Sequence, residues 1–565
     1  MFKQDKLEEI RRAKEKWEEK NKEEFKRELR KQFIADTGIV TNRLYTPLDL
    51  EEMGFDYMRD LGFPGGYPFT RGITPTMYRS KPWFTRALGG YSTPEESNEL
   101  WRSHIAAGAK ALFFHPDLPS QLGYDPDDPA AEGEVGRIGV SLSSLRDYEI
   151  GLNGIDVGKI PIHQVVNATS PINLAFHLAI AEQQGVGFDQ LEGEIQNDIL
   201  KEYMARGCYI YPPEHGLRIS LDAMAYIAKN LPRYIPTTIS CYHLKEKGAN
   251  LVHEAAFGIA NGIGYMEAAA KRGIHIDSIG SRLAFHTTQD HTFFFHEIAK
   301  LRAIRRIWAR IVKERFGAKN VESCGVIFSS GTGGTNYMRE QYLNNIARSA
   351  ISDLAGALGG IQFQSLRGYD EQWGIPTQEA QITNLRVHQI VAHETGVTET
   401  VDPLAGSYFV EWLTSEFEER ITKEIRKIDE SGGIVKCIES GYVQKQMAID
   451  AYEFQKRIES AELPRVGFNI YRSEDKPERP WRIYRAKPEV EQKRIADIRE
   501  VRMNRDNGTV EKTLKWIEDV AREEASDDNN LVEPILEAVK AYATVGEICG
   551  VFRKIWGEYR EPVAF

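Results

Sequence analysis

Between about residues 100 and 365, short apolar runs of β type alternate with longer stretches in which apolar residues recur every three to four positions. The short runs predict strands at 111–114, 160–166, 209–211, 238–242, 283–285, 325–328 and 361–363. The longer stretches predict helices at 172–184, 217–230, 251–271, 293–316 and 336–358. This repeated order predicts an α/β fold with a parallel sheet, and about eight such units closing on themselves form a (β/α)8 TIM barrel.

The regions on either side are predicted to be helical. Residues 3–33 form one charged helix with a thin apolar stripe, either solvated or acting as an arm on a partner subunit. A helix that opens at Asp402 ends before Gly432, and residues 473–480 form a Pro- and charge-rich linker before further helices. We therefore expect an N-terminal helical arm over residues 1–45, a catalytic barrel over 46–400 and a helical region over 401–565.

Composition and charge exclude several classes of function. The chain has 565 residues, 41% hydrophobic and 27% charged, which is typical of a globular enzyme. Its net charge of -11 offers no general attraction to nucleic acid or anionic lipid. The sequence shows no apolar run long enough to cross a bilayer and no signal region, so we expect a cytoplasmic protein without membrane contact. Five widely spaced cysteines predict reduced thiols, and we expect no metal site.

Chemistry in a TIM barrel lies where the strands end. The polar residues that follow the predicted strands are His115, Asn167, His243, His286, Ser329 and Ser330. The last two open the sequence SSGTGGT, which either places backbone N–H groups around a phosphate or a flat ring or forms an ordinary turn. The segment 65–83 combines cations with aromatic rings, and it either contacts a long ligand or is an ordered loop over the barrel.

Residues 66–83, GYPFTRGITPTMYRSKPW, resemble the opening motif of the methylmalonyl-CoA mutase family. The similarity continues in LPSQLGYDPDDPAAEGEVGRIGV, EIQNDILKEYMARGCYIYPP, ISCYHLKEKGAN, DPLAGSYFVEWLT and IWGEYREPVAF, and so covers residues 43 to 565. Members of this family are adenosylcobalamin-dependent acyl-CoA mutases, whose large subunit is a (β/α)8 barrel threaded by the CoA tail. The resemblance thus implies an isomerase that rearranges the carbon skeleton of an acyl-CoA thioester by radical chemistry.

The resemblance also implies a partner. The family's cobalamin-binding domain carries an Asp-x-His-x-x-Gly motif whose His ligates cobalt, and this motif is absent from the sequence. We therefore expect adenosylcobalamin to be shared with a separate small cobalamin-binding subunit, in a heterotetramer or another hetero-oligomer. Isobutyryl-CoA and 2-hydroxyisobutyryl-CoA mutases are built in this way. The use of a GTPase chaperone for cofactor loading is left open.

Three residues match the family's reaction site. His243 matches the histidine that hydrogen-bonds the thioester oxygen, and Gln196 matches a neighbouring polar contact. Arg206 matches the arginine that holds the free carboxylate of methylmalonyl-CoA, where the isobutyryl and hydroxyisobutyryl branches have Gln. Without the resemblance, Arg206 would be interpreted as part of a structural salt bridge, and the other two as satisfied polar residues at strand ends.

Other positions depart from the family pattern. Leu88 stands where methylmalonyl-CoA mutases have Tyr, and His115 stands where the hydroxyisobutyryl branch has Asp. On the adenosyl side, Gly331, Phe363 and Arg367 replace the usual Gln, Ser and Asn. His115 either meets an unusual substrate group or packs structurally. These departures favour a bulkier or differently substituted acyl group than that of methylmalonyl-CoA.

The remaining matches concern the adenosyl ribose and CoA. Glu371 is retained and is implied to contact the adenosyl ribose. The implied CoA contacts are Thr76, Met77, Lys81, Arg86 and Arg282. Because the overall charge is unfavourable, the CoA phosphates require this local set of cations. We expect substitution of Arg282 to weaken CoA-ester binding with little loss of fold.

Three hypotheses remain open. The leading one is the catalytic large subunit of a methylmalonyl-CoA mutase-like enzyme with an altered acyl pocket. The second is a 2-hydroxyisobutyryl-CoA mutase or a mutase for another branched acyl-CoA, which Leu88 and His115 favour and Arg206 opposes. The third, from another class, is a non-catalytic CoA-ester-binding subunit that pairs with an active relative.

Overall fold

One parallel sheet lies at the centre of the molecule. The computed structural model describes residues 2–473 and 487–561, apart from the side chains of residues 86–88. Its strands, in chain order, are β1 (Phe33–Ile34), β2 (Val40–Thr41), β3 (Phe84–Gly89), β4 (Ala111–Phe114), β5 (Ile162–Val165), β6 (Gly193–Gln196), β7 (Tyr234–Ile235), β8 (Thr238–Ser240), β9 (Ala284–Gln289), β10 (Ile327–Thr332) and β11 (Phe363–Ser365). The first two strands pair with each other, antiparallel, outside the central sheet.

The strands of the central sheet follow one another in the order β7-β6-β5-β4-β3-β11-β10-β9-β8. Only Pro236 and Thr237 separate β7 from β8 in the chain, so the two ends of the row meet at a covalent connection. The hydrogen-bonded ladder itself stops there, at a proline that has no N–H to donate. Counted as one interrupted strand, β7 and β8 complete eight strand positions, and the chain has the TIM-barrel type of fold expected from its periodicity.

Helices surround the sheet and form both ends of the chain. They are, in chain order, α1 (Gln4–Lys20), α2 (Lys22–Phe25), α3 (Pro47–Glu52), α4 (Pro94–Ala106), α5 (Leu118–Gln121), α6 (Leu145–Gly151), α7 (Ser170–Gln183), α8 (Ile199–Lys201), α9 (Pro213–Asn230), α10 (Cys241–Lys247), α11 (Leu251–Lys271), α12 (Ile276–Ile279), α13 (Phe294–Glu314), α14 (Asn345–Gly359), α15 (Gln378–Glu394), α16 (Tyr408–Glu430), α17 (Ile434–Glu439), α18 (Tyr442–Glu459), α19 (Pro488–Asn504), α20 (Asn507–Arg522), α21 (Val532–Lys540) and α22 (Val545–Trp556). The core lies between these helices and the sheet, where Phe285 of β9 packs edge-on against the fully buried Trp308 of α13.

The strand prediction is wrong at residues 209–211 and misses β3, β6 and β7. Tyr211 is apolar and buried because it packs against Phe552 and Trp556 of α22, not because it belongs to the sheet. In contrast, β6 carries Glu194, whose carboxylate lies 2.6 Å from the Nδ1 atom of His163 on the neighbouring strand. A buried pair of polar side chains between strands removes the apolar signal on which strand prediction depends.

The two ends of the chain differ in detail from the expected helices. The predicted helix over 3–33 ends at Asn21, whose side-chain amide donates to the carbonyl of Trp17. Most of the predicted linker 473–480 lies outside the described residues. All five cysteines are free and buried, as expected. Within residues 2–473 and 487–561, no helix is both long and apolar enough to cross a membrane.

Candidate active site

A cavity of about 880 Å³ opens at the carboxyl ends of the barrel strands. Among the residues that line it are six of those predicted from the sequence: His115, Gln196, Arg206, His243, Arg367 and Glu371. Gln196 is the last residue of β6, and the other five follow β4, β6, β8 or β11 in the chain. The parallel order of the strands therefore brings together residues that lie up to 256 positions apart. We call this space the acyl cavity.

Arg206 is held in the acyl cavity by a buried charge network. It ends a π-helical turn, Glu202–Arg206, and its Nη1 atom donates to the Glu202 carboxylate at 3.2 Å. The same carboxylate accepts a hydrogen bond from Lys201, which also donates to Gln196 at 3.1 Å. Burial disfavours the charge of Arg206, but Glu202 outweighs that effect and raises the pKa of Arg206. Lys201 and Arg206 thus share the Glu202 carboxylate, and Asp198 adds a second carboxylate close to Lys201.

His243 lies in the first turn of α10 as a neutral imidazole. Burial, followed by the charges of Lys201 and Arg206, holds the pKa of His243 well below its usual value. Its Nδ1 atom is 2.9 Å from the hydroxyl oxygen of Ser240. When the Ser240 hydroxyl donates to Nδ1, the proton of the neutral ring is on Nε2. His243 is then a neutral hydrogen-bond donor close to the charged side chains of Lys201 and Arg206.

His115 and His286 add two further imidazoles. Burial, together with Arg367 and Arg206, lowers the pKa of His115 to about 3. Its ring packs edge-on against Phe113, which also lies beside His286. The Nδ1 atom of His286 is 2.6 Å from the hydroxyl oxygen of Ser329. His115 therefore presents a neutral ring between two guanidinium groups.

Arg367 and Glu371 lie on the loop that follows β11. The Arg367 guanidinium donates to the hydroxyl of Tyr242 through Nε, at 3.2 Å, and through Nη2, at 2.9 Å. Burial disfavours its charge, but Tyr242 and Glu371 outweigh that effect and raise the pKa of Arg367. Burial raises the pKa of Glu371, whose carboxylate accepts no hydrogen bond within the described part of the chain. Its oxygens are therefore available to hydroxyl donors of a ligand.

The glycine-rich loop after β10 does not offer a free anion cradle. The carboxylate of Glu246 accepts hydrogen bonds from the backbone N–H of Thr335 and from its hydroxyl. A Cβ atom at Gly333 would lie 2.5 Å from a Glu246 carboxylate oxygen, so a larger residue there would force the Glu246 side chain to move. The Glu246 carboxylate therefore occupies the position at which the sequence allowed a bound phosphate.

Gly331, on β10, lies behind His286. A Cβ atom at Gly331 would be 3.6 Å from the Nε2 atom of His286, and a longer side chain would displace the imidazole. The small residue at this position therefore makes room for a histidine that lines the acyl cavity. His286 and Tyr242 both line the cavity. His286 is one of the polar residues that follow the predicted strands, although the resemblance assigns it no role, whereas Tyr242 is not predicted from the sequence.

The predicted CoA contacts lie at the opposite, amino-terminal end of the strands. Thr76, Met77 and Lys81 precede β3, and Arg282 precedes β9. Arg282 donates to the backbone carbonyls of Leu231, Tyr234, Ser278 and Ala228. These bonds contradict the expectation that its substitution would cost little fold stability. The side chains of Arg86 and Leu88 lie outside the described residues.

The other predicted CoA contacts differ from one another in burial and in the groups they touch. Met77 is buried, whereas Thr76 is exposed and its hydroxyl accepts a hydrogen bond from Ser80 at 2.6 Å. The ammonium of Lys81 lies 3.9 Å from the centre of the Phe84 ring. Within residues 2–473 and 487–561, no three His, Cys, Asp or Glu side chains cluster as ligands of a metal ion would.

Comparison with known proteins agrees with the motifs. Residues 35–558 match the family model described as "Methylmalonyl-CoA mutase". The chain is 40% identical over 538 residues to the 2-hydroxyisobutanoyl-CoA mutase large subunit of Aquincola tertiaricarbonis, covering 95% of this chain and 94% of that protein. It is 38% identical over 524 residues to the methylmalonyl-CoA mutase of Rhizobium meliloti, covering 92% and 72%. The chain therefore belongs to the methylmalonyl-CoA mutase family, which makes it an acyl-CoA mutase, that is, an isomerase.

Proposed function

We propose that this chain is the acyl-CoA-binding large subunit of a mutase that shares adenosylcobalamin with a separate small subunit. The observation that carries the proposal is the convergence of His115, Gln196, Arg206, His243, Arg367 and Glu371 on one cavity at the carboxyl end of the barrel. A non-catalytic CoA-ester-binding subunit would have no need of this arrangement. The proposed division is an arm over residues 1–45, a barrel over 46–400 and a helical region over 401–565.

The proposed substrate carries a free carboxylate on its acyl group. Arg206 uses only one nitrogen on Glu202, so its remaining N–H groups are available to a carboxylate in a bidentate arrangement. Arg367 provides a second guanidinium in the same cavity. An anionic acyl group would accept charge-assisted hydrogen bonds from these free donors.

His243 is proposed to donate a hydrogen bond from Nε2 to the thioester oxygen. A donor at that oxygen stabilises negative charge that develops while the thioester carbonyl group migrates. A neutral donor suits this step because it can stabilise charge without giving up its proton. Gln196, fixed by Lys201, lies beside this position and orients the acyl group.

CoA is proposed to run along the barrel, with its phosphates at the amino-terminal end. Thr76, Met77, Lys81 and Arg282 lie at that end, while the acyl cavity lies at the other. The two terminal nitrogens of Arg282 already donate to carbonyls. The donor assigned to a phosphate is therefore its Nε–H. Arg86 is assigned to the same contact, and Leu88 to the acyl wall, from their sequence matches alone.

The residues around the mouth of the acyl cavity fit an adenosyl group. Glu371 has carboxylate oxygens available to ribose hydroxyls, and Arg367 lines the same space, while Gly331 lies against His286 of that lining. Adenosylcobalamin, when bound, would supply the radical chemistry that the rearrangement needs. The chain's own contribution is to hold the acyl group in the acyl cavity, away from bulk water. We also propose a cytoplasmic hetero-oligomer, with or without a GTPase chaperone.

A second candidate function is rearrangement of a hydroxylated acyl-CoA. The observation that favours it is the neutral His115 ring at the cavity wall, which offers both a donor and an acceptor to a hydroxyl group. The name of the Aquincola tertiaricarbonis relative points in the same direction. The second guanidinium in the cavity favours the carboxylated substrate instead.

Turnover with a panel of acyl-CoA esters tests the proposal. The purified chain would be combined with a small cobalamin-binding subunit and adenosylcobalamin, then given methylmalonyl-CoA, 2-hydroxyisobutyryl-CoA and isobutyryl-CoA. We expect cob(II)alamin absorbance and a rearranged product with the carboxylated ester. Product from the hydroxylated ester alone would support the second candidate. CoA-ester binding without product from any ester would favour the non-catalytic subunit.

A further inference from the structure

A second cavity, of about 360 Å³, lies beyond the carboxyl end of β9. Arginine side chains dominate its wall: Arg30, Arg348, Arg457 and Arg465. His291, Phe293 and Leu463 are among the other lining residues. No described residue that lines the acyl cavity also lines this one. We call it the arginine cavity.

Two of these arginines are buried with neutral partners only. Arg348 is 7% exposed and donates to the side-chain oxygen of Asn345, at 2.7 Å, and to the backbone carbonyl of Val466, at 2.9 Å. Arg465 is 4% exposed and donates to the Thr292 hydroxyl. Its Nε–H has no acceptor within the described part of the chain. Neither guanidinium forms an ion pair with a described carboxylate.

Two carboxylates around the arginine cavity already have close cationic partners. Asp36 pairs with Lys245 at 3.0 Å, and Glu462 pairs with Arg457 at 2.8 Å. Arg30 is exposed and has no ion pair among residues 2–473 and 487–561. Arg465 lies in the field of Asp290 and Asp36 without a direct ion pair to either, so the negative charge at this cavity is already shared among several cations.

Burying a guanidinium without a counter-charge is unfavourable, because the charge loses its hydration. Burial lowers the pKa of Arg348, and the charge of Arg465 lowers it further. Burial also lowers the pKa of Arg465. The two groups thus repel each other in a site where water is scarce. An oxyanion between them would accept hydrogen bonds from both and remove the repulsion.

We propose that the arginine cavity binds a small molecule through its phosphate or carboxylate group, held between Arg348 and Arg465 with Arg30 at the entrance. Phe293 and Leu463 contribute apolar surface to the same wall, so the ligand carries an apolar part beside its oxyanion. The proposal concerns residues outside the acyl cavity and does not depend on the mutase activity.

Calorimetric titration of the full chain with inorganic phosphate, at constant ionic strength set with chloride, tests the proposal. We expect saturable binding that Arg348→Gln weakens at least about tenfold, because a charged hydrogen bond of about 1.5–3 kcal/mol is lost. Arg30→Gln, at an exposed position, is expected to weaken binding about threefold without affecting the fold. Arg386→Gln, also exposed but remote in the chain, is the matched control and should leave binding unchanged.

The same titration distinguishes the site from other phosphate sites. Lys81→Ala changes the proposed CoA end of the barrel and should leave this binding event unchanged. A parallel titration with succinate distinguishes the two ligand groups; binding of succinate that Arg30→Gln and Arg348→Gln weaken would assign a carboxylate. Circular dichroism checks that each variant folds, and if Arg348→Gln does not fold, Arg30→Gln decides. Absence of saturable binding of either anion, or binding unaffected by the arginine variants, would overturn the proposal.

Discussion

The two ends of the barrel use their cations differently. At the carboxyl end, Arg206 gives one nitrogen to Glu202 and keeps its other donors toward a cavity. At the amino end, Arg282 directs both terminal nitrogens to backbone carbonyls. Both residues match family positions in the sequence, yet of the two only Arg206 keeps terminal N–H groups that no described residue accepts. The comparison shows that the binding capacity of a cation depends on which of its donors the fold has already used.

The largest effect is expected from His243→Ala at the carboxyl end. Loss of a hydrogen-bond donor to developing negative charge should lower kcat by about 10²–10³-fold, with a smaller change in KM. Steady-state turnover of the preferred ester by the reconstituted enzyme measures this effect.

Ser240→Ala is the matched control for His243. It leaves the imidazole in place and removes only the hydroxyl beside Nδ1, so kcat should fall by less than in His243→Ala. Equal kcat values for the wild type and His243→Ala would show that the thioester oxygen lies elsewhere.

Arg282→Ala at the amino end is expected to reduce stability first. The variant leaves the carbonyls of Leu231, Tyr234 and Ser278 without their donor, and each lost bond to a charged group is worth about 1.5–3 kcal/mol. We expect Tm without ligand to fall by about 2–5 °C.

Lys81→Ala separates binding from stability at the same end. The Lys81 ammonium contacts the Phe84 ring, and substitution should weaken CoA-ester binding while Tm stays near that of the wild type. An unchanged Tm in Arg282→Ala would contradict the view that Arg282 at the amino end serves the fold through its bonds to backbone carbonyls.

The smallest effect concerns the pH dependence of stability. In the folded protein the pKa of His115 is about 3, whereas the ordinary value is 6.5. Between these values the unfolded chain binds more protons, so the free energy of unfolding decreases as the pH falls below 6.5. His115→Gln should flatten the decline in the free energy of unfolding between pH 6.5 and pH 5, by at most about 1.4 kcal/mol per pH unit, and Tm should then decline less steeply over the same range.

His393→Gln, on an exposed position of α15, is the control for that measurement. It shows how far the replacement of a histidine at an exposed position changes the steepness of the decline in Tm. The same steepness in His115→Gln and in the wild type would contradict a buried, neutral His115.

Much of the fold follows from the sequence, since alternating apolar runs predict the parallel barrel. The prediction misses β6 because its residue Glu194 is polar and lies inside the barrel against His163, where this tertiary contact replaces apolar character. At the active site, strand-end positions and motifs identify His243 and Arg206. Neither strand-end positions nor motifs reveal that Tyr242 binds Arg367, because that contact spans 125 positions in the chain.

The other features that the sequence does not predict have a common physical cause. The acceptors of Arg282 are backbone carbonyls, which every residue possesses, so no side-chain pattern in the sequence marks them. The glycine-rich loop likewise resembles an anion site until the position of Glu246 is known. Sequence patterns identify residue types that suit a ligand, whereas their free donors depend on contacts between distant segments.

The most direct test of the account is the substrate preference of Arg206→Gln. The measurement is the ratio of kcat/KM for methylmalonyl-CoA to kcat/KM for isobutyryl-CoA, with wild type and variant assayed beside the same small subunit and adenosylcobalamin. Loss of charged hydrogen bonds to a carboxylate should lower this ratio at least about tenfold. An unchanged ratio would show that Arg206 serves only its ion pair with Glu202, which would contradict the proposed role of the acyl cavity.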